Sequence, residues 1–119
     1  MKLFIRAHDL GVTGEKEIVQ KLCGLGLDGV QLVAYKVLPD ARYVPGGVSV
    51  SSARKVAETF VSAGKSIPLI GAYFNPVHPD KEKVETGVAV FQDYLRLAHD
   101  FGCDTVGSET GSVNGDPWI

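Results

Sequence analysis

The sequence predicts an α/β domain in which four parallel strands alternate with three helices, β-α-β-α-β-α-β. Two observations predict it. Short β-rich runs ("KLFIRA", "DGVQLVAY", "IPLIGAYF", "DTVGSE") alternate with longer segments whose apolar residues recur at helical spacing. The runs are mostly continuous in apolar character, as parallel strands covered by helices are, and helical connections between them imply right-handed crossovers.

The first strand, Lys2 to Ala7, is closed by His8 and Asp9. In "TGEKEIVQKLCGLGL", Ile18, Val19, Leu22 and Leu25 share a helical face, Glu15 and Glu17 complement the dipole, and Gly24 and Gly26 stop the helix. "DGVQLVAY" is the second strand. "SVSSARKVAETFVSAG" opens on serines that can cap and closes on Gly64, with Ala53, Val56, Ala57, Phe60 and Val61 as its buried stripe. "IPLIGAYF" is the third strand, with Pro68 tolerated near its start. Asp80 then N-caps a helix from Lys81 towards Gly102, along which Val84, Val88, Phe91, Leu95 and Ala98 form one face. Gly87 inside it costs roughly 1 kcal/mol relative to alanine. "DTVGSE" is the fourth strand. The literal GxGxxG match "GLGLDG", Gly24 to Gly29, follows a helix and precedes a strand. A dinucleotide fingerprint needs the reverse order, so these glycines read as a C-cap and a turn.

A chain of 119 residues, 45% hydrophobic, suits one domain with its own core. Twelve basic against fourteen acidic residues leave a net charge of −2, which provides no basic footprint for nucleic acid. Cys23 and Cys103 form no CxxC pair and read as buried thiols acting as small hydrophobes. "MKLFIRAHD" meets polar residues before a signal-peptide core can form, and no apolar run approaches membrane-spanning length. The expectation is a cytoplasmic protein without a membrane partner.

In parallel α/β architecture, ligands bind at the carboxyl ends of the strands. Those ends carry His8-Asp9, Tyr35-Lys36, Asn75 to His78, and Glu109-Thr110. His8 and His78 suit proton shuttling or hydroxyl binding, against the alternative of incidental loop histidines. His99 lies away from this rim. Asn75 serves equally well as a turn residue, Asp80 as a cap, and Pro76 and Pro79 as stiffeners. Glu109, followed by the small residues of "TGS", is the candidate catalytic carboxylate; the alternative is a partly buried acceptor of loop N–H bonds. The long loop "AYKVLPDARYVPGGVS" brings Tyr35, Lys36, Arg42 and Tyr43 as candidates to close over a polar ligand. The helix after Gly46 and Gly47 offers an N-terminus for phosphate, and a plain solvated loop is the alternative.

The "HDLG" end of strand one, "DGVQLV", "NPVHPD" and "VGSETGS" together resemble the N-terminal half of the xylose-isomerase-like TIM barrels, a superfamily of sugar (phosphate) isomerases and epimerases. The resemblance covers most of the chain. It implies that residues 1–119 form half of a (β/α)8 barrel, with His8, Gln31, Asn75 and His78 contacting a sugar or sugar phosphate and Glu109 catalytic. It also implies a divalent metal (Mn, Mg or Zn) in the complete family member, held by two glutamates, an aspartate and a histidine, which stabilises an enediolate. Two departures matter. Gln31 stands where many relatives carry an acid. Leu69 and Glu109 stand where the endonuclease branch has zinc-binding histidines, which argues against a DNA-repair site.

A complete barrel of this type takes roughly 250 residues. The expectation is therefore a truncated barrel that lacks most of the metal ligands, binds no metal tightly alone, and contributes substrate contacts. Unpaired edges and an open inner face further imply self-association. A non-catalytic, self-associating half-barrel or sugar-binding module is the alternative. A doubly wound sheet of flavodoxin type, with its site at a strand-order switch point, is a third, and the sequence lacks the phosphate loop that would recommend it.

Overall fold

A computed structural model describes residues 1–113 of the chain; the closing "NGDPWI" lies outside the described residues. Strands β1 (Phe4–Arg6), β2 (Gly29–Leu32), β3 (Ser66–Gly71) and β4 (Val106–Gly107) form one sheet in the order β1-β2-β3-β4. Every pairing is parallel: Ile5 lies beside Val30, Leu32 beside Ile70, and Ile70 beside Val106. Helices α1 (Glu15–Leu25), α2 (Ala34–Val37), α3 (Val50–Ser62) and α4 (Lys81–Leu97) occupy the connections.

Strand order equal to chain order decides the architecture. Right-handed crossovers that always step to the same side place every helix on one face of the sheet. Burial agrees: Val30, Leu32 and Ile70 are fully buried against the helices, whereas Phe4 is 43% exposed, Arg6 is exposed, and Gln31 and Leu69 are half-buried on the opposite face. A flavodoxin-type sheet reverses its strand order and covers both faces, so that alternative is excluded. The arrangement is that of half a β/α barrel laid open, with β1 and β4 at its edges among the described residues. Extents of 42 × 31 × 23 Å and a radius of gyration of 14.7 Å, against about 13.5 Å for a compact chain of this length, describe a slab rather than a sphere.

Each helix follows from its residues, with some shifts of boundary and face. Gly26, in the left-handed conformation at φ 69°, ends α1, while Gly24 stays helical. Ser49 caps α3 by accepting the Ser52 amide, and Asp80 caps α4 by accepting the Glu82 amide. The buried stripe of α3 is Ala53, Val56 and Phe60; Val61 is 75% exposed. On α4 the expected face is displaced. Gly87, Val90, Tyr94 and Leu97 face the core, while Val88 and Leu95 are exposed. The sequence offers two apolar stripes there, and the larger Tyr94 and the gap at Gly87 fit the sheet-side contact. A Cβ on Gly87 would overlap the ring of Phe74, so this glycine makes room for an aromatic side chain.

The strands are shorter than their apolar runs. The second turns into α2 after Leu32, and the fourth pairs only at Val106 and Gly107. Cys103 is buried, as expected, but Cys23 is exposed on the outer side of α1.

Candidate functional site

The β3–α4 loop, "YFNPVHPD", builds itself from side chain to backbone bonds. Asn75 Oδ1 accepts the amides of Val77 at 3.2 Å and Ser112 at 3.0 Å, and Asn75 Nδ2 donates to the Ser112 carbonyl. One amide side chain thus closes its own turn and ties the loop after β3 to the loop after β4. His78 Nδ1 accepts the Asp80 amide at 2.9 Å, which leaves Nε2 as the nitrogen that carries the proton. Asp80 in turn caps α4.

A tyrosine cluster sits next to this loop. The Tyr73 ring folds back over Gly71 on the uncovered face of the sheet, where a Cβ would collide with it. There its hydroxyl accepts a bond from Gln31 Nε2. The Tyr73 amide donates to the Tyr35 hydroxyl at 3.3 Å, and the Tyr43 hydroxyl donates to the Tyr73 carbonyl at 3.4 Å. The Tyr35 and Tyr43 rings meet edge to face, 4.8 Å between centroids. Burial pushes the pKa of Tyr35 upward, partly offset by the Tyr73 amide and helped by neighbouring tyrosines and Glu109. Burial, then Glu109, does the same for Tyr43. Both phenols therefore stay protonated at neutral pH. Tyr35 and Tyr43 both bond the Tyr73 backbone, and their loop is braced by Gly46 N–H to Asp93 Oδ2 at 2.7 Å.

The parallel sheet brings the candidate residues to one end. His8 lies in a single 3-10 turn (Ala7–Asp9) directly after β1, Gln31 in β2, Asn75 and His78 after β3, and Glu109 after β4. They are not one constellation. Asn75 and His78 line an open groove of about 530 Å3 with Tyr43, Phe74, Asp80, Glu82, Lys83 and Thr86, a volume within the roughly 300–1,000 Å3 of small-molecule sites. Gln31 does not line that groove; it bonds the Tyr73 hydroxyl. Glu109 is exposed, two residues beyond the end of its strand, and its charge acts on Tyr35 and Tyr43. His8 lies on the β1 side, and its buried Nδ1 has no partner among the described residues. Its pKa is lowered first by burial and then by Lys36, with Asp9 opposing.

Tyr73 and Phe74 are the site residues that pattern reading misses, because their apolar character assigns them to the strand. The signal is the aromatic pair placed between the small residues "GA" and the turn residue Asn75.

Among the described residues no group of three or more His, Cys, Asp or Glu side chains is placed to hold a metal ion. The donor set implied by the resemblance is not assembled by them. No helix among them is long and apolar enough to cross a membrane. Compared with models of protein families and with curated proteins, the sequence has no match.

Proposed function

We propose that this chain forms the substrate-contacting half of a β/α barrel of the sugar (phosphate) isomerase and epimerase type. The observation that carries the reading is the singly wound sheet: four parallel strands in chain order, helices on one face, and an aromatic and hydrogen-bonding groove at their carboxyl ends. Aromatic faces from Tyr43 and Phe74 suit the C–H faces of a sugar ring. His78 Nε2–H and the carboxylates of Asp80 and Glu82 suit its hydroxyls. In this reading Glu109 handles a proton on the carbon beside the substrate carbonyl once the barrel is complete, while His8 and Gln31 bind along the same rim.

The test is a nitrogen-15 correlation titration with free and phosphorylated ketoses and aldoses. Saturable shifts confined to Tyr43, residues 73–86 and 107–112, and the rim positions His8 and Gln31 support the reading; no saturable shift with any sugar refutes it. In the completed barrel, Glu109→Gln lowers turnover about 10²- to 10⁴-fold with an unchanged unfolding midpoint, and equal activity removes its catalytic role.

The uncovered face favours a second reading, self-association. Phe4 at 43% exposure and the half-buried Leu69 lie on a surface that a closed barrel fills with side chains. Light scattering at micromolar concentration checks it, and a well-folded monomer rules it out.

A further inference from the structure

We infer that the groove beside α4 takes an uncharged sugar and turns away the phosphate ester of the same sugar; this rests on the sugar-site reading above. A phosphate on a βα rim is ordinarily held by helix N-termini, where unpaired N–H groups meet the positive end of the dipole. Here an oxygen of the chain itself already accepts a first-turn amide at α3 and at α4. At α4, Asp80 accepts the Glu82 amide at 3.0 Å, and Glu82 adds a second carboxylate to the first turn. At α3, Ser49 Oγ accepts the Ser52 amide at 3.0 Å, and the Ser52 hydroxyl bonds the Asp40 carboxylate. The Gly46 amide, in the loop that leads into α3, is held by Asp93. The first turn of α1 carries Glu15 and Glu17.

Charge on the groove points the same way. Among the described residues the groove lining holds two carboxylates, Asp80 and Glu82, and one lysine, Lys83, and Glu109 acts on Tyr43 from the neighbouring loop. Carboxylate oxygens accept hydrogen bonds from hydroxyl groups but repel a phosphate. The remaining lining adds no carboxylate: the Tyr43 and Phe74 rings, Asn75, Thr86, and His78, whose Nδ1 accepts the Asp80 amide.

The experiment titrates the labelled chain with D-fructose, D-xylulose and D-glucose, each beside its terminal phosphate ester, at constant ionic strength. At least one free sugar is expected to shift Tyr43, Phe74, His78 and Thr86, with its ester binding at least about tenfold more weakly. The double variant Asp80→Asn, Glu82→Gln removes both charges while asparagine still caps the helix, and it narrows that ratio. An ester that binds the native chain as well as the free sugar overturns the inference and leaves the sugar-site reading standing. A ratio unchanged in the double variant also overturns it, because the carboxylates are then not its cause. No response to any sugar or ester overturns the sugar-site reading itself.

Discussion

Replacing Gly87 by alanine sets two effects of similar size against each other. In an unhindered helix interior, alanine is favoured over glycine by about 1 kcal/mol. Gly87 is not unhindered: a Cβ there would overlap the Phe74 ring and also the Phe74 Cβ, which cannot swing aside as a side-chain tip would. Retreat of the ring is limited by Phe91, 6.4 Å away between centroids. Overpacking of this kind costs about 1–3 kcal/mol before any gain is subtracted, and a contact that includes Cβ belongs in the upper part of that range. Gly87→Ala is therefore expected to destabilise by about 1–2 kcal/mol net. Gly24 supplies the control. It also lies within a helix, but nothing stands within 4 Å of the position its Cβ would take. Gly24→Ala should stabilise by about 0.5–1 kcal/mol. Urea unfolding followed by circular dichroism reads both variants, with midpoints moving in opposite directions by a few tenths of a molar or more at unchanged slope. A Gly87→Ala protein as stable as the native one would refute the packing argument, and with it the fixed position of Phe74 on which the groove depends.

Three further perturbations follow from the same contacts. The Tyr94 hydroxyl is buried without a partner among the described residues, so Tyr94→Phe should leave stability unchanged or raise it by up to about 1 kcal/mol; a clear loss in thermal unfolding would contradict this. Asn75→Ala removes both acceptor bonds and the donor bond to Ser112. It should cost about 1–3 kcal/mol and speed amide exchange selectively at Val77 and Ser112; unchanged exchange at both would show that the tie carries no weight. His8 has a folded pKa below its ordinary 6.5, so the unfolded chain takes up the proton first as pH falls. The stability His8 contributes is complete above that value and is lost as pH drops through 6.5 towards the folded pKa. His8→Gln should flatten the stability profile between about pH 8 and pH 5, and an unaltered slope in denaturation midpoints would sink the argument.

The order of strands and helices is legible in the sequence because each rests on local physics: apolar runs, helical spacing, serine and aspartate caps, and a left-handed glycine at Gly26. The rim follows too, since parallel strands deliver their carboxyl ends to one side and so fix where His8, Asn75 and Glu109 enter the chain. Tertiary contact decided the rest. Two apolar stripes run along α4, and the sheet selected the one with Tyr94 and Gly87 because it alone fits Phe74 and the core. Asn75 became a tie to Ser112, 37 residues away, which no local pattern encodes. Tyr73 reached Gln31 across 42 residues only because β2 and β3 are neighbours and Gly71 leaves space above the sheet. Local rules determine which elements form, while the pairing of distant side chains is settled by which of many compatible surfaces meet when the elements pack.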